Sequence, residues 1–165
     1  MTHLPACLHV RFVRAVLSTL LLALTLPLGA ATCEGGNTLD GSISEVVDLT
    51  FDEVQMRRFS SGAIQLDYLR AIEDTGTFDV VCKVVFDTPE GGIVVDEPID
   101  IVANGGIIER VVAANETFPA LDTANITFFT GGQDPGPVTG EFVSTFENGR
   151  TLNGTFETEL EDVDF

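Results

Sequence analysis

From residue 42 onward, apolar and polar positions alternate with a period of two, and the helical spacing of 3.6 is almost absent. Alternation of that kind belongs to strands with one face buried and one wet. It predicts strands at 42–50, 53–59, 63–72, 77–87, 93–102 (interrupted at Pro98), 106–113, 124–130, 138–146 and 150–160. Clusters of turn-forming residues separate them: SSG, EDTG, TPEGG, NGG and GGQDPGP. The stretch 115–122, NETFPALD, is irregular and has room for one helical turn. Many short strands at this spacing predict an all-β fold: a single antiparallel β-sandwich or β-barrel of about eight or nine strands with hairpin, meander-like connections.

Two hairpins can be read residue by residue. A three-residue loop Glu147-Asn148-Gly149 pairs Phe146 with Arg150, Phe142 with Gly154 and Gly140 with Phe156. That register puts both apolar rows on one face and lays each ring over a glycine; a two-residue Asn-Gly turn would split the rows between faces. Gly149 then takes the left-handed position that such loops require. The same rule with Ser60-Ser61-Gly62 as the loop sets Phe59 against Ala63, Met56 against Leu66 and Val54 against Tyr68. In TFDVVCKVVFD, the row Phe78, Val80, Cys82, Val84 and Phe86 is expected to face the core.

The first thirty-odd residues do not share the pattern. Arg11 and Arg14 precede an uncharged apolar run from Ala15 to Leu28, followed by Gly29, Ala30 and Ala31. This is the layout of a secretory signal peptide, and the run is short of the roughly twenty residues that span a bilayer. The predicted organisation is a signal segment at 1–32 with cleavage near Ala30 to Thr32, a flexible tether at 33–41 and one β-domain at 42–165. The predicted location is outside the cytoplasm: periplasm, outer membrane through a lipid, or extracellular.

Cleavage changes the composition. Both histidines, His3 and His9, and Cys7 lie ahead of the cut, leaving six basic residues against twenty-six acidic ones, a net charge of −20. Such a charge favours solubility, repels nucleic acid and fits life in salty water, where counter-ions screen self-repulsion. Two cysteines remain, Cys33 and Cys82. In an oxidising compartment they would form one disulfide. Alternatively, the stretch Ala30-Ala31-Thr32-Cys33 resembles the end of a bacterial lipoprotein signal, with Ala30 in place of the favoured leucine and Thr32 in place of a smaller residue. That resemblance implies an acylated Cys33, which leaves Cys82 as core filler. The membrane is then a partner only through this anchor.

Little catalytic chemistry is left in the mature chain. Without histidine there is no Ser-His-Asp or Cys-His site and no zinc site that uses His. Phosphate-binding loops and dinucleotide fingerprints are absent too. Lys83, the one lysine, falls on the polar face of its strand. A terminal Phe165 suits an outer-membrane barrel, but Val163, Glu161 and Glu159 break the required alternation. Calcium needs only oxygen ligands, which makes Asp96, Glu97 and Asp100 weak candidates, with Glu159, Glu161, Asp162 and Asp164 behind them. Neither set matches the calcium-loop spacing, and both also read as acidic edges that discourage aggregation. Asn-x-Thr sequons stand at Asn115, Asn125 and Asn153.

The sequence therefore predicts no enzyme. It predicts an exported acidic β-domain, anchored by lipid if Cys33 is acylated, that binds a partner or serves structurally in the cell envelope. One alternative is a carrier of a small apolar ligand, with Phe78, Phe86, Phe142 and Phe156 lining a cavity. A second is a calcium-assisted adhesion or binding module.

Overall fold

The computed structural model describes residues 36–112 and 116–164. The signal segment, Cys33 and Asn115 lie outside them. The described chain forms nine strands and no α-helix: β1 Thr38–Asp40, β2 Glu53–Phe59, β3 Ala63–Ile72, β4 Thr77–Asp87, β5 Pro98–Asp100, β6 Ile107–Val111, β7 Leu121–Thr130, β8 Gly136–Phe146 and β9 Thr151–Val163. They join in one sheet, ordered β5-β7-β8-β9-β2-β3-β4-β6, with β1 added to β9. The sheet curls into a half-barrel. Its two edge strands meet at one end through the turn after β5: Ile101 donates its N–H to Ala124 of β7 at 2.9 Å and accepts from Gly106, just ahead of β6, at 2.7 Å.

The all-β architecture predicted from the alternation is what forms, and β2, β3 and β4 start and stop where the pattern placed them. Both hairpin registers also hold. Phe142 faces Gly154 and Gly140 faces Phe156, with the Phe146 N–H donating to Arg150 at 2.8 Å. Met56 faces Leu66 and Val54 faces Tyr68. A Cβ on Gly154 would run into the Phe142 ring and lie 2.7 Å from the Tyr68 hydroxyl, so the glycine is what lets the rings fill that layer. Gly149 has φ 77°, the left-handed conformation that closes a three-residue loop.

Several details differ from the sequence reading. Residues 42–50 form no strand: Ser42–Glu45 is a short 3-10 turn, and Ile43, Val47 and Leu49 plug the barrel instead of lining its wall. Strand 93–102 shrinks to β5, because Asp96 takes φ 63° and the chain kinks ahead of Pro98. In the stretch 115–122, residues 116–120 are irregular and contain no helical turn, and 121–122 already belong to β7. The register of β4 shifts where Val81 is inserted as an extra residue against β3, so Cys82, Val84 and Phe86 are buried but Phe78 is 46 % exposed. A bulge reverses the facing of everything on its far side. Finally, β2 and β9 run parallel, Met56 opposite Leu160 through Phe59 opposite Val163, within an otherwise antiparallel set of pairs.

Residues 38–40, expected in the tether, are strand β1, and the ordered edge begins earlier still. Thr155 donates its hydroxyl to the Gly36 carbonyl at 2.7 Å, and Asn37 Oδ1 accepts from the Glu157 N–H at 2.6 Å. The free side of β9 is thus covered in order by β1, by Asn37, by the Thr158 hydroxyl donating to Val54 O at 2.9 Å, and by β2.

Candidate functional site

Four features of the molecule have the character a site would need: a buried polar row, an ion-pair cluster, an acidic cleft and the predicted calcium ligands. The buried row crosses the inner face of β3, β4 and β6. Tyr68 faces Cys82, and Arg110 lies beside the β4 bulge, donating to the Val81 carbonyl at 3.2 Å and to Glu116 Oε2 at 3.4 Å. Tyr68 donates its hydroxyl to Thr155 O at 2.9 Å across the interior and stacks edge-on with Phe51 and Phe142. Burial pushes the Tyr68 phenol far up from its ordinary range, with Cys82 adding to it. Burial also pushes the Cys82 thiol up, helped by Asp67 and opposed by Arg110. Cys82 is a free thiol with no exposed surface, held protonated. Such a thiol packs; it does not react.

Near these residues Arg70 is held between Asp48, at 2.7 Å, and Asp79, at 3.1 Å. Hydrogen bonds from the Thr50 N–H and hydroxyl hold the Asp48 carboxyl below the usual carboxylate range, with Arg70 contributing less. Every basic residue after Cys33 is paired in this way: Arg57 with Asp67, Arg58 with Asp162, Lys83 with Glu109, Arg110 with Glu116 and Arg150 with Glu45. The positive charge is consumed internally and the surplus acids face solvent.

The cleft opens where β2 and β9 part company below their four paired positions. It has a volume of about 510 Å³, and its walls carry Glu53, Gln55, Glu157, Glu159 and Glu161.

The predicted calcium ligands do not gather. Asp96 and Glu97 sit in the kink before β5, while the Asp100 carboxylate accepts from the Ala103 N–H at 2.9 Å and so caps the turn that follows. At the C-terminus Asp162 is taken by Arg58. Among the described residues no group of three or more His, Cys, Asp or Glu is placed to hold a metal ion.

Of the four rings expected around a cavity, Phe86, Phe142 and Phe156 are inside and Phe78 is on the outer face. Phe156 packs edge-on with Phe128, their centroids 5.4 Å apart, a separation typical of rings that fill a core. Asn125 and Asn153 both sit on the outer face, opposite Val143 of β8. Arg110 escaped the sequence reading because an arginine in IIERV looks like a solvated charge; in β6 it alternates with the buried Ile108 and shares its inner face. Comparison with family models, with curated proteins and with solved structures gave no match.

Proposed function

We propose that this chain is an exported, lipid-anchored acidic β-domain with a non-enzymatic binding or structural role in the cell envelope. The observation that carries this reading is the state of Cys82. It is free, wholly buried and held protonated, a core residue with no chemistry of its own. Cys33 then stands as the cysteine with a task, next to a signal-like segment that resembles the end of a lipoprotein signal at Ala31 and departs from it at Ala30 and Thr32. The non-enzymatic part rests on the lack of histidine after Cys33 and on the lack, among the described residues, of a group of three or more acids, His or Cys placed to hold a metal ion.

Mass spectrometry of the mature chain from its own host tests it. The expected result is a start at Cys33 carrying acyl chains, with the Cys33→Ser variant moving from the detergent phase to the aqueous phase. An unmodified chain starting at Ala31 or Thr32, or a mapped Cys33–Cys82 disulfide, overturns the anchor.

A further inference from the structure

From the point where the chain joins the sheet, we infer that the anchored domain lies on its side, with the β2–β9 wall against a zwitterionic lipid surface. The inference rests on the lipid-anchored reading and adds an orientation to it. A nine-residue tether at 33–41 would reach about 30 Å and let the domain float free of the bilayer. Pairing into the sheet shortens that tether. Gly36 is already bonded to Thr155, Asn37 to Glu157 and Thr38 N–H to Thr155 Oγ1 at 3.0 Å. Whatever path residues 34 and 35 take, covalent geometry keeps the Cys33 Cα within about 11 Å of the Gly36 Cα. β9 alone has thirteen residues, a length of about 43 Å at 3.3 Å per residue. The anchor is therefore short compared with the barrel, and it leaves from the middle of a wall rather than from an end.

That wall is the one that holds the cleft, with Glu53, Glu157, Glu159 and Glu161 on it. The screening length at physiological salt is about 8 Å, close to the reach of the anchor. Anionic headgroups at that distance are felt and repelled, so the surface the wall fits is one without net charge. In the sheet order four strands separate the β2–β9 junction from the edge on either side, which puts the turn after β5, with Val102 44 % exposed, on the far side of the barrel.

The test uses the full acylated protein, its lipid verified by mass, on phosphatidylcholine vesicles with a small fraction of headgroup-spin-labelled lipid. A fluorophore is attached at Glu159→Cys in one sample and at Val102→Cys in another; the buried Cys82 takes no label. Quenching at 159 is expected to exceed that at 102 at least threefold, and to fall when anionic lipid is added. Six Gly-Ser residues inserted between Gly35 and Gly36 should bring the two sites level. Equal or reversed quenching in acylated protein overturns the orientation and leaves the anchor standing. A ratio unchanged by the insertion overturns the short tether as its cause. A Cys33 without lipid overturns the anchor and the orientation together.

Discussion

Two glycines decide the packing of the last hairpin. Gly154 and Gly140 each lie beneath a ring from the facing strand, and a side chain at either would occupy the ring's place. Gly154→Val is expected to cost on the order of 1–3 kcal/mol through overpacking. Phe156→Ala, which empties a fully buried ring, should cost roughly 3–5 kcal/mol. Thr155→Ala changes the outer face and loses only the hydroxyl's bonds to Gly36 and Thr38, about 1–2 kcal/mol. Denaturation midpoints of the three variants check the order; a Thr155→Ala as damaging as Phe156→Ala would mean the faces are reversed. Cys82 gives a second expectation at this scale. Its thiol is raised by burial in the folded chain and returns to about 8.5 when unfolded. Below that pH both states hold the proton and nothing is lost. Above it only the unfolded state ionises, so stability should fall as pH rises past about 8.5, and more steeply past about 10 as Tyr68 joins. Replacing Cys82 by alanine should remove the first of these steps from a plot of unfolding free energy against pH.

Among the paired strands, the registers show how a sheet tolerates the net charge of −20 that residues 34–165 carry. No acid in the assigned pairs stands opposite another acid. Glu157 faces Thr139, Glu159 faces Pro137, Glu141 faces Thr127 and Thr155, Asp40 faces Asn153 and Asp100 faces Asn125. Where an acid faces a charge, that charge is basic, as in Asp67 with Lys83 and Glu161 with Arg57. Like charges directly across a strand pair destabilise it, and alternation with Thr and Asn avoids the contact. Asn153→Asp would create one such pair against Asp40 on the three-residue β1. The expected loss is about 0.5–1 kcal/mol at low salt, with faster amide exchange at Thr38–Asp40. Amide exchange in β1 that matched the unsubstituted protein would count against the charge-spacing argument.

For the whole molecule, the ion pairs and the surplus acids pull salt dependence in opposite directions. Screening weakens surface pairs worth about 0–1 kcal/mol each and relieves the mutual repulsion of the unpaired carboxylates. After Cys33 the chain carries twenty-six acids against six cations, which makes repulsion the larger effect. Raising sodium chloride from about 0.05 M to about 1 M should therefore raise the melting temperature, by about 4 °C for each kcal/mol of repulsion relieved. Scanning calorimetry beside a neutral osmolyte separates this from general exclusion effects. A melting temperature that falls with salt would show that the ion pairs dominate.

Local chemistry in the sequence determined the strands of each hairpin, their loops and their facing. Period-two alternation fixes which residues are buried, and a glycine at the end of a three-residue loop fixes the register; both act within about twenty residues of chain. Even where residues 42–50 form no strand, Ile43, Val47 and Leu49 are the positions that alternation marks as apolar, and they are buried. Tertiary structure alone decided the parallel closure of β2 on β9, the addition of β1, the bulge at Val81 that turns Phe78 outward, and the inward setting of Arg110. Those features depend on which distant edge is free to be covered and on how the sheet must bend to cover it. Alternation is the same for a parallel as for an antiparallel neighbour, so the chain's own pattern does not encode the choice. The seating of Gly36 and Asn37 on β9 is of the same kind: in the sequence they read as a flexible tether until the open side of β9 takes them up.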